Sequence, residues 1–320
     1  MDLYHWSIQF PFTKTVLNFK ELNCKCQEIL TKINASLPPT EEYRKDYNQT
    51  LIEIFKQVLK EKNSLYDLNC IEFLMFAIHL RSVSIGNVLE MYMESKELDE
   101  KTQKNKKIKI EINLSNLMSS VYNISMIIEK YNIIKEKDVE IHIDWPNINS
   151  LNNFIKSKQE NVYEKINDTL YEFVKILYIN KTEINFTKYT KEQKEIIFGK
   201  LPVSIKNILQ TQIFSFLNET TTISLFDNMA YLNEYKLNLY NDSIQDLIRL
   251  LYANNLTNLQ AENVFLISKG FDLESINKMT PLEKQNYINL LTKHKQNEQQ
   301  PNEASFSDAV SDLAREFGQI

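Results

Sequence analysis

Apolar residues recur at helical spacing along Cys70 to Leu80: Ile71, Leu74, Met75 and Ile78 make one stripe, and Phe73, Phe76 and Ala77 widen it around most of the cylinder. This predicts a buried central helix, too short to span a bilayer. Arg81 falls in its last turn, where unpaired carbonyls favour a cation. Gly86 supplies the positive φ that turns the chain into a strand from Val88 to Met93. Alternation of polar and apolar positions marks two more half-buried strands, Lys107 to Asn113 and Val139 to Asp144. The three strands are expected to form one small antiparallel sheet. The charged run Glu94 to Lys107 reads as a solvated hairpin loop, and Trp145-Pro146 as the end of the last strand.

Around this centre the periodicity is mainly helical. Val16 to Phe19 is a short extended segment, followed by helices at Cys26 to Ile33 and Thr50 to Leu59. Beyond the sheet, helices are predicted at Ser150 to Gln159, Val162 to Tyr178, Lys191 to Lys200 and Val203 to Leu217, with a short edge strand at Thr182 to Phe186. Thr190 ahead of Gln193 forms a capping box. From Thr222 onward the pattern is helical throughout. Ser243 to Leu251 and Thr257 to Ile267 are amphipathic, Gly270 is a stop, and Thr280 caps a last helix that starts at Pro281. The fold class is therefore α+β, a small antiparallel sheet with packed helices followed by a mainly α-helical C-terminal part. The boundaries fall at residues 1–146, 147–295 and 296–320.

The last segment changes character. Residues 295–305 are rich in Gln, Asn, Glu and Pro and bury too little surface to order themselves. Phe306, Ala309, Val310, Leu313, Ala314 and Phe317 then recur at helical spacing. Such a stripe fits a groove on a partner or folds back on its own body. Phe306, Val310, Leu313 and Phe317 are the candidate docking residues.

Composition narrows the function. Net charge is -5 with both signs interspersed, so there is no basic field for a nucleic-acid backbone, and no N-terminal signal or membrane anchor is evident. Four glycines, Gly86, Gly199, Gly270 and Gly318, lie too far apart for a phosphate-binding loop. Three cysteines, Cys24, Cys26 and Cys70, suit a reducing compartment and are poorly spaced for zinc, and His5, His79, His142 and His294 make no i, i+4 set. Neither a metal nor a cofactor is expected. His142 and Asp144 stand at i, i+2 on one strand, but no nucleophile sits in a recognisable elbow. They read as a solvent-facing pair. Glu183, Glu192 and Glu195 read as surface carboxylates on a helical segment, paired with nearby lysines rather than forming a hydrolytic dyad.

The run Glu72, Phe73, Phe76, Arg81, Ser84, Gly86 resembles the apolar helix and Arg-x-x-Ser-x-Gly exit of baseplate hub subunits and hub assembly proteins of T-even-type contractile-tailed bacteriophages. Leu201-Pro202 after Phe198, and Met279-Thr280-Pro281-Leu282-Glu283 running to Tyr287, resemble later parts of the same proteins. The likeness spans most of residues 10 to 295, in the order of its parts more than in identity. One departure is that Cys-x-x-Cys pairs of the family are replaced by Gln210, Phe214, Phe216 and Asn218. The resemblance implies a non-enzymatic hub assembly factor, chaperone-like or a hub subunit, that binds hub or tail proteins in the host cytoplasm or the virion baseplate. It marks Glu72, Arg81, Ser84 and Gly86 as signature residues with a structural role. The alternatives are a structural virion component and, less favoured, a tail-associated hydrolase.

Overall fold

The computed structural model describes residues 4–35, 41–98, 105–136, 138–147, 168–220, 222–226, 234–238 and 243–298. Strands β1 (Trp6–Gln9) and β2 (Val16–Phe19) form an antiparallel hairpin, and helices α1 (Cys24–Ala35) and α2 (Glu41–Val58) follow. The chain then returns to the free side of β2: Lys20 N donates to Val58 O at 3.0 Å and Lys60 N to Asn18 O at 2.9 Å. A 3₁₀ turn, Lys62–Asp67, delivers α3 (Cys70–Ser84), the helix predicted at the centre. Twelve of its residues are buried, so it packs on all sides. Phe76 meets Phe19 edge-on at 5.3 Å and Phe55 at 5.4 Å, and Phe55 also touches Phe73 and Tyr252.

Gly86, at φ +136°, carries the exit of α3 into β3 (Val88–Leu98), which pairs antiparallel with β4 (Asn105–Asn113). This corrects the solvated loop expected over 94–107: the ladder continues through Glu94 opposite Lys107 and, after a register shift, Leu98 opposite Asn105. Side-chain polarity was a poor guide there because ladder bonds are made by the backbone. Helix α4 (Leu114–Tyr131) packs on α3 and leads into a separate four-stranded antiparallel sheet: β5 (Ile133–Glu136), β6 (Val139–Ile143), β7 (Val174–Ile179) and β8 (Thr182–Asn185), in that order. The expected single sheet is thus divided in two, and Val139 to Ile143 belongs to the second.

The predicted helix at Val162–Tyr178 is also corrected, over its described part. Leu170–Phe173 is a 3₁₀ turn, and Val174 to Tyr178 belong to β7. Val174-Lys175-Ile176-Leu177-Tyr178-Ile179 is β-branched and aromatic, and Asn180 and Lys181 at φ 49° and 67° form the tight turn that folds it onto β8. The expected helix at 150–159 lies outside the described residues. Helices α5 (Lys191–Gly199) and α6 (Val203–Thr220) follow, α5 closed by the Thr190–Gln193 capping box. The expectation of helix from Thr222 onward is overturned by a hairpin of β9 (Thr222–Phe226) and β10 (Glu234–Asn238), where Ile223 and Leu225 alternate with polar residues at a period of two.

Helix α7 (Ser243–Leu251) packs on α3. Helices α8 (Leu256–Ser268), α9 (Leu273–Lys278) and α10 (Pro281–Glu298) complete the described chain. One apolar core runs from Phe10 to Tyr252, and a smaller cluster of Leu266, Ile276 and Ile288 joins the last three helices. Cys24 N donates to Met279 O at 2.8 Å, and the buried Lys284 ammonium reaches Glu262 at 2.9 Å.

Candidate functional site

The two ends of α3 hold the polar groups of the interior. At the C-terminal end, the buried Arg81 guanidinium serves carbonyls from separated parts of the chain: Nε donates to Leu251 O at 2.6 Å, Nη2 to Val88 O at 3.1 Å, and Nη1 to Gly86 O. Desolvation by burial pulls its pKa down to about 10, still charged at neutral pH. Ser84 Oγ accepts from Leu22 N at 2.9 Å, and Tyr252 Oη donates to Ala77 O at 2.7 Å. These bonds tie the segments at residues 22, 86–88 and 251–252 to α3.

At the N-terminal end, Asn69 Oδ1 caps the helix by accepting from Glu72 N at 2.9 Å. Glu72 is fully buried and turns its Oε1 to the β1–β2 hairpin loop, accepting from Phe12 N at 2.8 Å and Thr13 N at 3.0 Å. Asn69 Nδ2 donates to Asp144 Oδ1 at 3.0 Å, and the same oxygen accepts from Trp145 N at 2.7 Å. The other oxygen, Oδ2, lies 3.7 Å from the half-exposed Lys175 ammonium. Burial, opposed by Lys175, drives the Asp144 pKa up to about 6, with Glu72 adding to the rise.

These groups open onto a cleft of about 400 Å³. Its walls include Thr13, Tyr66, Asp67, Trp145, Phe173 and Thr187, and it holds a second buried acid, Glu172, whose Oε2 is 3.0 Å from the Lys194 ammonium. That pair is 2% and 12% exposed, so solvent screens it little.

The pairing expected for His142 and Asp144 is corrected by this geometry. In the β6–β7 ladder the extra residue, Lys175, lies on β7, and β6 itself ends at Ile143, so Asp144 falls beyond the strand that carries His142. His142 Nε2 contacts Glu140 Oε1 at 2.6 Å, while Asp144 is largely enclosed in the cleft wall, its side chain 13% exposed. Glu183 lies on β8, not on a helix. Glu195 accepts from Tyr171 Oη at 3.0 Å and stands 3.8 Å from Lys191. The three cysteines are free and buried; burial pushes the Cys24 thiol up to about 12 and raises those of Cys26 and Cys70. Among the described residues no group of three His, Cys, Asp or Glu is disposed to hold a metal ion.

Phe306, Val310, Leu313 and Phe317 lie outside the described residues. The sequence reading missed Asn69, Asp144 as a buried group, Glu172 and Lys194. Only the first had a local signal: Asn69 followed at the third position by Glu72 is a helix-start pattern. A family model described as T4 bacteriophage base plate protein matches residues 3–226, which contain α3, both ends of it and the whole cleft. No curated protein and no solved structure matches the chain.

Proposed function

The chain belongs to the T4 bacteriophage base plate protein family, and from that membership we propose that it acts in assembly of the baseplate hub, as a chaperone-like factor or hub subunit that binds other tail proteins. The observation that carries the reading is the family match over residues 3–226. Glu72, Arg81, Ser84 and Gly86 act as braces within the fold, and contact with partners falls to apolar surface. Ile196, Val203, Leu273 and Leu290 are more than half exposed and supply such surface, which complements a stripe of Phe306, Val310, Leu313 and Phe317. Binding takes place in the host cytoplasm during assembly and leads to the virion baseplate, without nucleic acid or membrane as partner. Among the described residues no helix is long and apolar enough to cross a membrane.

Affinity purification from infected cells with mass spectrometry of co-purifying proteins tests the reading; recovery of hub or tail proteins is expected, and their absence overturns it. Quantifying the chain in mature particles then separates a factor that leaves from a structural component held at fixed stoichiometry.

A tail-associated hydrolase draws on one observation, three acids, Asp67, Asp144 and Glu172, lining a single cleft with Asp144 raised to about 6, as a general acid requires. Against it, Glu172 is ion-paired with Lys194 at 3.0 Å and is poorly placed to serve as base or nucleophile. We therefore assign the chain no reaction of its own. Release of soluble fragments from peptidoglycan by the purified protein, abolished in Asp144→Asn, would reverse that assignment.

A further inference from the structure

We propose that the cleft at the N-terminal end of the central helix receives one basic side chain, preferentially arginine, presented by a partner protein. The inference deepens the partner-binding reading above and rests on it. A space of about 400 Å³ suits one long side chain with a few waters better than an oligosaccharide or a nucleotide. Tyr66, Trp145 and Phe173 contribute aromatic surface to its walls, which suits a planar guanidinium.

The charge within the walls is unbalanced. Asp67, Asp144 and Glu172 face Lys175 and Lys194, leaving one negative charge in excess, and the buried Glu72 carboxylate lies close enough to add to the field at Asp144. Lys194 is committed to Glu172 at 3.0 Å. Asp144 is left with an incomplete set of partners. Its Oδ1 takes two N–H donors, while among the described residues Oδ2 has only the 3.7 Å approach of Lys175, a side chain 42% exposed. A largely enclosed carboxylate with one oxygen poorly served gains from a cation that brings several donors at fixed geometry, and a guanidinium does so. The donor set does not suit a metal ion, as among the described residues no three ligating groups converge. Carboxylates also repel phosphate.

An incoming cation binds the ionised form of Asp144, so binding expels a proton wherever that group is partly protonated, and affinity falls with pH. The groups facing Asp144 are Lys175 from β7, Asn69 and Glu72 from α3, and Glu172 from the 3₁₀ turn. With Asp144 raised to about 6, moving from pH 7.5 to pH 5 reduces its ionised fraction about tenfold.

Titration of the purified full chain with acetyl-arginine amide, followed by calorimetry and by NMR shifts of the Trp145 indole, tests the proposal. Acetyl-citrulline amide serves as the uncharged isostere. Millimolar binding of the arginine amide at pH 7.5 is expected, about tenfold weaker at pH 5, absent for citrulline and lost in Asp144→Asn with its circular dichroism unchanged. Binding retained in that variant, equal binding of citrulline, or no binding at all overturns it. Tighter binding of spermidine than of the arginine amide identifies a free amine and rejects the side-chain assignment. Purification from infected cells separates this inference from the reading beneath it. Tail proteins recovered equally with wild type and Asp144→Asn sink the cleft alone, whereas none recovered with either sinks the partner reading while the amide titration still decides the cleft.

Discussion

The two ends of α3 bury charge in opposite ways. At the C-terminal end a single cation, Arg81, is wrapped by carbonyls of Gly86, Val88 and Leu251. Backbone oxygens satisfy it with no counter-ion among the described residues, and the segments at 86–88 and 251 close over it. At the N-terminal end the charges are carboxylates, Glu72 and Asp144, served by a few N–H groups, and Asp144 lines a cleft. A guanidinium carries five donors in a rigid fork and is always charged, so it can be saturated by backbone alone. A carboxylate near an apolar wall is held less completely and answers to pH. The closed end locks the fold, while the open end keeps a charge available.

The largest effect is expected at the closed end. Arg81→Met fills similar volume but strands three carbonyls, of Gly86, Val88 and Leu251, and urea denaturation should show a loss of about 3 kcal/mol or more. Arg81→Lys should recover less than half of it, since one ammonium cannot span acceptors that the guanidinium reaches from three nitrogens. A loss below about 1 kcal/mol for Arg81→Met would erase the contrast between the ends.

The open end should be read through pH. The folded chain raises Asp144 to about 6 from its ordinary 3.8, so the fold favours the protonated carboxyl. Its stabilising contribution is therefore complete below about pH 4 and is lost as pH rises through 6; the size is about 3 kcal/mol at roughly 1.4 kcal/mol per pKa unit. The wild type should lose stability relative to Asp144→Asn between pH 4 and pH 7.5. Parallel curves for the two proteins would show that the open end carries no such charge. Arg81, charged throughout this range, should give Arg81→Met a deficit that does not change with pH.

This contrast also explains how much could be seen in the sequence. The closed end was legible because its determinants are local: an apolar stripe, then Arg81, Ser84 and Gly86 within six residues. Even so, the partners of Arg81 and Ser84, at Leu251 and Leu22, were not, because no pattern in one segment names the segment packed on it. The open end joins Asn69, Asp144, Glu172 and Lys194 across more than 120 positions, each unremarkable in its own stretch. Helices with clear stripes or caps were read well, as at α3, α5 and α7. Of β3 and β4 only the inner parts were legible, because polar residues masked the outer ends of the ladder, and β7 was missed because its apolar content suits either period.

The smallest test compares two short side chains, one at each end. Ser84→Ala removes the acceptor for Leu22 N and should cost about 1 kcal/mol, equally at pH 5 and pH 7.5, since no titrating group shares that bond. Asn69→Ala removes both the cap of α3 and the donor to Asp144, and should cost about 1–2 kcal/mol at pH 7.5. At pH 5 part of that cost should vanish, because the bond to an ionised carboxylate is stronger than the bond to a protonated one. Chemical denaturation of both variants at the two pH values measures the difference directly. If the Asn69→Ala cost is as flat with pH as that of Ser84→Ala, Asn69 acts only as a helix cap, and Asp144 keeps its state without it.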